Sequence, residues 1–306
     1  MTIAIIGSGA VGCYFGAKLI QAGNDVVFLA RGERLEKLRS EGITLQTEEQ
    51  RETLPVRAVE RVSELPPVDF AFFCVKAWQL QPIAREMNEI GILPSCALTT
   101  QNGVEAAGDV AQCFGDDVAV ASVIHGFFEM AGPSTVRHIG IEPKIIFGAP
   151  YSAKKTPTEE LSRLLAGADI AHKQSDEIMV RLWEKLIMVS TIGAIGAMAR
   201  QPVGRSRTDA TVRNYMRTLM TEIHSVGCAA GVQFPNDIIE QTFKFIDRFP
   251  ADATTSMQRD IMAGNQSELE CQLGVIIRLS DEMGIPTPLA HFLYAFLKMQ
   301  YTADGP

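Results

Sequence analysis

Residues 2–31 read TIAIIGSGAVGCYFGAKLIQAGNDVVFLAR, and the fold turns on how this stretch is read. A short apolar run, residues 3–6, stops at Gly7. A helical pattern follows over residues 10–21, and a second apolar run covers residues 25–30. Gly7, Ser8, Gly9, Ala10, Val11 and Gly12 form a GxGxxG motif between a strand and a helix. In that setting each glycine has a task. The first permits a tight turn, the second lets a pyrophosphate approach the backbone, and the third lets the helix pack closely on the strand. The free amides at the helix start, aided by the helix dipole, then hold the anion. The motif predicts a dinucleotide-binding β-α-β unit. A glycine-rich turn without a ligand is the competing reading.

The same alternation continues outward. Residues 33–41 read as a helix closed by Gly42. Residues 69–75, 97–100, 118–124 and 144–147 read as further strands. Continuous apolar strands separated by helices predict a parallel sheet covered on both faces, hence an α/β, Rossmann-type doubly wound domain. From Ser175 onward the pattern is helical, with helices expected over 175–200, 209–230, 236–249, 267–283 and 288–301. Ser175 is the expected N-cap of the first, followed by the acidic first turn of Asp176 and Glu177, and Pro202 and Gly204 stop it. The expected division is therefore 1–172 for a nucleotide-binding domain and 173–306 for an all-helical one.

Composition narrows the function classes. The chain has 306 residues, 46% hydrophobic and 21% charged, which is ordinary for a folded soluble protein. Its net charge of −8 argues against general nucleic-acid binding, where affinity comes largely from phosphate neutralisation. No targeting segment is read at the start, and the uncharged stretch 186–199 is too short to span a bilayer, so no membrane partner is expected. The six cysteines form no CxxC pair and are read as reduced, mostly buried thiols of a cytoplasmic protein. The five histidines show no metal-ligand spacing, so no metal is expected. The apolar faces of the helical half suit a homodimer, but no pattern fixes the oligomeric state.

The second apolar run ends at Ala30, Arg31 and Gly32. NAD-binding units usually place an acid there for the ribose 2′-hydroxyl, whereas an arginine suits a 2′-phosphate. Arg31 thus favours NADPH over NADH, with Glu33 as the nearby competing acid. Further along, Val75, Lys76 and Ala77 close the third run, and Gln101, Asn102 and Gly103 follow the fourth. Trp183, Glu184, Lys185 and Leu186 lie on the first long helix. Ser256-Met257-Gln258-Arg259-Asp260 precedes Gly264 and then Ser267 and Glu268.

In this order and spacing the chain resembles the ketopantoate reductase (2-dehydropantoate 2-reductase) family over nearly its whole length. The resemblance implies NADPH-dependent reduction of a 2-keto acid on the way to pantothenate, in a cleft between a Rossmann domain and a helical domain. It implies that Lys185 is the catalytic lysine and Glu268 the carboxylate that arranges lysine and cofactor. Asn102 is implied to touch nicotinamide and substrate, Ser256 the substrate, and Lys76 the cofactor. The residue types suit the chemistry: a lysine ammonium can stabilise the charge developing on a ketone oxygen and deliver the proton.

Plainer roles compete. Lys185 alone reads as a snorkelling surface lysine, and Lys76 as a strand-end residue in solvent. Asn102 and Gly103 form a common turn dipeptide, and Ser256 and Ser267 are possible N-caps, the latter read as a cap only. Glu268 suits a first helical turn. His125, Gly126 and Phe127 follow a strand and are candidates for the nicotinamide pocket. Met257 and Met262 read as core filler.

The sequence also departs from the family. Asparagines usually stand one and two turns after the lysine, where this chain has Val189 and Gly193, and Ala253 and Thr254 stand where another asparagine is often found. A less polar, roomier cleft is expected, suited to a more apolar 2-keto acid, although ketopantoate remains the best named substrate; Ser190 and Thr191 are candidates to replace the missing amides. Two alternatives remain: an NADP-dependent dehydrogenase of another hydroxy or keto acid, and a catalytically silent NADPH-binding sensor.

Overall fold

A computed structural model describes residues 1–48, 50–154 and 156–300. By its internal contacts the chain divides into two compact units. The first comprises Met1–Gln101 and Glu105–Ile178, the second Asn102–Val104 and Met179–Pro306.

In chain order the first unit contains β1 (Thr2–Ile6), α1 (Ala10–Gln21), β2 (Asp25–Leu29), α2 (Gly32–Glu41), β3 (Ile43–Gln46), β4 (Arg51–Leu54) and β5 (Arg57–Val59). It continues with β6 (Phe70–Phe73), α3 (Ala77–Glu89), β7 (Cys96–Thr99), α4 (Ala106–Phe114), β8 (Ala119–Met130), β9 (Thr135–Gly148), α5 (Thr156–Gly167) and β10 (Ala171–Gln174). The strands form one ten-stranded sheet in the order β4-β3-β9-β8-β7-β6-β1-β2-β5, with β10 beside β9. The run from β5 to β8 is parallel, as the continuous apolar strands predict. Alternate residues of β1 face opposite sides. Ile3 and Ile5 pack with Phe15, Leu19, Leu35, Leu161 and Leu165, while Ala4 and Ile6 pack with Leu80, Ile83, Met87 and Val110. Helices α1, α2 and α5 thus cover one face, and α3 and α4 the other.

Three features differ from expectation. The sequence reading has no β3, β4 or β5: all three are only three or four residues long, and β4 and β5 also include exposed charged positions, so they carry little apolar signal. β8 and β9 run antiparallel as a long ribbon, with a bulge between His125 and Phe127. His125, Gly126 and Phe127 therefore lie inside a strand rather than after one. Finally, β10 pairs in parallel with β9 and adds a strand that spans the expected boundary at 172, so the observed division falls after Ile178.

The second unit contains α6 (Ile178–Ala199), α7 (Val203–Thr208), α8 (Ala210–Ala229), α9 (Ile238–Ile246), α10 (Ser256–Met262), α11 (Val275–Met283) and α12 (Pro288–Met299). A π-helical turn, Glu270–Gly274, leads into α11 and interrupts the single helix expected over 267–283. The helix expected over 288–301 ends at Met299, and Tyr301 lies outside the described residues. Ser175 accepts a hydrogen bond from Glu177 N at 3.2 Å, just ahead of α6. The core gathers Trp183 and Leu186 from α6, Leu219 and Ile223 from α8, Ile276 from α11 and Leu293 from α12. Among the described residues, no helix is long and apolar enough to cross a membrane.

Candidate active site

Ligands of open α/β sheets sit at the carboxyl ends of the strands, where the strand order reverses. In the first unit that point is β1, because β2 lies on one side of it and β6 on the other. The glycine turn leaves β1 there. Gly7 has φ of +107°, and a Cβ on it would stand 2.8 Å from Val75 N. A Cβ on Gly12 would stand 2.2 Å from Gly7 O, so α1 packs hard on the turn. A Cβ on Gly9 would meet only Cys74 O at 4.0 Å. The first and third glycines are therefore demanded by the protein's own packing, whereas the second borders open space. Gly9 is the N-cap of α1 and offers no side chain to the first-turn amides of Ala10 and Val11. These donors and that space fit a diphosphate.

Arg31 is the exposed N-cap of α2, just past the end of β2. A second arginine, which the sequence reading did not single out, lies one turn further on. Arg34 Nη1 donates to Ser8 O at 3.0 Å, bridging α2 to the glycine turn. An arginine three residues after an N-cap was the available signal. The buried Cys13 thiol also donates to Ser8 O, at 3.3 Å. Burial pushes the Cys13 and Cys74 thiols up to about 12, so neither is a nucleophile near neutral pH. Lys76 caps α3 after β6, with Nζ 6.0 Å from the centroid of the Trp78 ring. The neighbouring Gln101 side chain donates to Phe73 O at 2.9 Å and Val75 O at 2.8 Å, tying the ends of β6 and β7 together.

The second unit gathers a different group. Lys185 is half-buried on α6. Burial pulls its pKa down to about 8, while the charge of Glu268 pushes it back up. Glu268 is 6% exposed and accepts a hydrogen bond from Asn102 Nδ2 at 3.4 Å. The Cys271 thiol donates towards Asn102 O at 3.1 Å and Glu268 O at 3.3 Å. Residues far apart in sequence thus form one cluster of ammonium, carboxylate, amide and thiol, chemistry suited to handling a proton.

The start of α10 lies beside α6. A Cβ on Gly193 would stand 2.8 Å from Met257 Cε and 2.9 Å from Thr255 Oγ1. The room expected from the missing asparagine at 193 is therefore filled, which corrects the roomier cleft on that side. Ser190 and Thr191 do not stand in for the amides either. At about 100° per residue they point roughly 140° and 120° away from Lys185, to opposite sides, and both are fully buried, with no hydrogen-bond partner for either hydroxyl among the described residues. The N-cap of α10 is Thr255, whose Oγ1 accepts from Gln258 N at 3.1 Å. Ser256 is instead the first helical residue, half-buried between the two residues that contact Gly193. The cap expected at Ser267 is also absent, because its buried hydroxyl has no partner among the described residues. Met257 belongs to the core, whereas Met262 is at the surface.

The six cysteines are free thiols. Cys13 and Cys96 are buried, Cys74, Cys113 and Cys271 half-buried, and Cys228 exposed. No group of three or more metal-ligating side chains occurs among the described residues.

Comparison with known proteins covers almost the whole chain. The sequence model of ketopantoate reductase PanE/ApbA matches residues 3–151, and that of its C-terminal part residues 177–301. A 2-dehydropantoate 2-reductase of Mesorhizobium japonicum is 25% identical over 319 residues, covering 97% of both proteins. The crystal structure of a PanE/ApbA family ketopantoate reductase from Ralstonia eutropha JMP134 superposes with a TM-score of 0.90 at 31% identity, over 98% of each chain. A D-mandelate dehydrogenase, solved with NADH and anilino(oxo)acetate, gives a TM-score of 0.89 over 98% of each chain; at 19% identity that likeness speaks for the fold alone. By sequence and by fold, the chain belongs to the ketopantoate reductase PanE/ApbA family of oxidoreductases.

Proposed function

We propose that the protein is an NADPH-dependent reductase of a 2-keto acid, with ketopantoate, reduced to pantoate, as the best named substrate. The observation that carries this reading is the cluster of buried Glu268 with half-buried Lys185 and Asn102. In this reading the sheet unit binds the nucleotide and the helical unit supplies the catalytic groups. The turn from Gly7 through Ser8, Gly9, Ala10 and Val11 to Gly12 takes the diphosphate. Arg31 takes the 2′-phosphate, and Lys76 and Asn102 border the nicotinamide end. The reduced nicotinamide, when bound, supplies the hydride. Lys185 donates a hydrogen bond to the ketone oxygen, offsets the charge that builds there, and gives it a proton. Glu268 keeps the amine charged at neutral pH despite its burial. Asn102 and Ser256 hold polar atoms of the keto acid.

Val189 and the packed face at Gly193 favour a second reading, in which the acid reduced differs from ketopantoate and has a less polar substituent. A site that lacks hydrogen-bond partners discriminates poorly for a substrate that needs them.

The test follows NADPH oxidation with ketopantoate and a panel of other 2-keto acids. A kcat/KM of about 10⁴ M⁻¹s⁻¹ or more for ketopantoate supports the first reading. Higher values for apolar acids support the second. In either case Lys185→Ala is expected to lose about 10²- to 10⁴-fold in rate. NADPH binding with no turnover of any acid leaves the sensor reading, and failure to bind either nucleotide overturns the proposal.

A further inference from the structure

We propose that Cys271 is a positioning residue of this reductase, its thiol proton holding the main chain of Asn102 against the turn that carries Glu268. The proposal rests on the reading of Lys185, Glu268 and Asn102 given above. Three observations converge on it. Cys271 Sγ lies 3.1 Å from Asn102 O, close for a sulfur donor. A Cβ on Gly103, whose φ is +153°, would stand 3.0 Å from Cys271 O, so the segment Asn102–Val104 lies directly on this turn. By contrast, the side-chain link from Asn102 Nδ2 to Glu268 Oε2 is long, at 3.4 Å, and weak by itself.

The thiol has one proton, and both Asn102 O and Glu268 O lie within its reach. Glu268 O already accepts from Gln272 N at 3.1 Å. Among the described residues, no main-chain amide donates to Asn102 O. The proton is therefore best used on Asn102. Cys271 also lies in the π-helical turn Glu270–Gly274, whose wider winding presents the side chain three residues after Glu268 to the neighbouring segment. Such turns recur at functional sites. The half-buried thiol thus supplies a main-chain anchor for an asparagine whose own side chain must stay available to the substrate or cofactor.

The test compares Cys271→Ser, Cys271→Val and Cys271→Ala in the full-length protein. Valine keeps the bulk and removes the donor, whereas serine keeps a donor. With NADPH and the fastest keto acid of the panel, kcat is expected to fall about three- to tenfold in C271V and C271A, the worth of one weak hydrogen bond. The KM for NADPH should stay within about twofold, and C271S should recover most of the rate. Independently of turnover, hydrogen–deuterium exchange over residues 102–104 should quicken in C271V and stay near wild type in C271S. Unchanged exchange in C271V overturns the proposal, as does a C271S enzyme as slow as C271V. Wild-type protein that reduces no 2-keto acid overturns the catalytic reading of Lys185 instead, and the exchange comparison still decides whether the thiol anchors the segment.

Discussion

Lys185 sits on a helix where sequence alone reads a snorkelling lysine. Its environment suits the proposed role of a proton donor near neutral pH. Burial lowers its pKa to about 8, and the Glu268 charge opposes that shift. Reduction needs the ammonium form. The rate of keto-acid reduction should therefore stay level below about pH 8 and fall as pH rises through it, while the reverse oxidation gains over the same range. Glu268→Gln removes the opposing charge, so the falling limb should move to lower pH in pH profiles of kcat/KM. A limb that stays in place would sink the assigned role of Glu268. The two departures after Lys185 also behave differently. Val189→Asn should raise ketopantoate turnover, because the position lies on the lysine's side of α6. Gly193→Asn should instead cost about 1–3 kcal/mol of stability, measured by denaturant unfolding, because Met257 Cε and Thr255 Oγ1 occupy the space. The sequence pointed to Lys185, Asn102 and Glu268 only through the family resemblance that their order and spacing carry. It passed over Arg34, marked only by its place three residues after an N-cap, and Cys271, because both donate to main-chain carbonyls, which residue type does not reveal.

Helix ends show what a local reading can and cannot reach. Thr255 and Ser256 are both competent caps, and the backbone path, extended at Thr255, makes the choice. Ser267 has a cap's chemistry but a buried place where, among the described residues, no amide donates to it. The opposite case is α12, whose first-turn amides are served from another helix. Pro288 at the helix start has no N–H. The next two donors, Leu289 N and Ala290 N, bond the two carboxylate oxygens of Glu222 on α8 at 3.0 and 2.8 Å. Glu222 is buried, and both amides lose their acceptor together if it goes. Glu222→Ala is therefore expected to cost about 2–3 kcal/mol, read as a clear fall in melting temperature, with Glu222→Gln retaining part of the stability. A melting temperature unchanged by Glu222→Ala would show that water serves these amides equally well.

The whole chain carries a net charge of −8, yet the proposed cofactor is itself an anion. The conflict is resolved locally: Arg31, Arg34 and Lys76 all follow strand ends next to the glycine turn or its neighbours in the sheet, and the amides at the start of α1 add partial positive charge. Nucleotide choice can then be read from the stability of the whole molecule. NADPH at about 100 times its Kd should add about 2.7 kcal/mol to the folded state, and NADH at the same concentration less. In scanning calorimetry the melting temperature should rise further with NADPH than with NADH, and Arg31→Ala should erase the difference. Equal shifts in the wild-type protein would refute the assignment of a 2′-phosphate to Arg31.

The α/β class, the glycine turn and the helical second half were legible in the residues, because strand and helix periodicity and glycine's lack of a side chain are local properties. The short strands β3 to β5 were not, since three or four residues are too few to show a period and their pairing makes them strands. Nor was the pairing of β10 with β9, which moved the division from 172 to the end of Ile178. The cluster of Lys185, Glu268, Asn102 and Cys271 depends on packing between segments more than 80 residues apart. Burial sets the lysine's proton affinity, and Met257 and Thr255 fill the space at Gly193. Distances and desolvation exist only once the chain has folded, so residue order supplied the candidates and three-dimensional packing selected their partners.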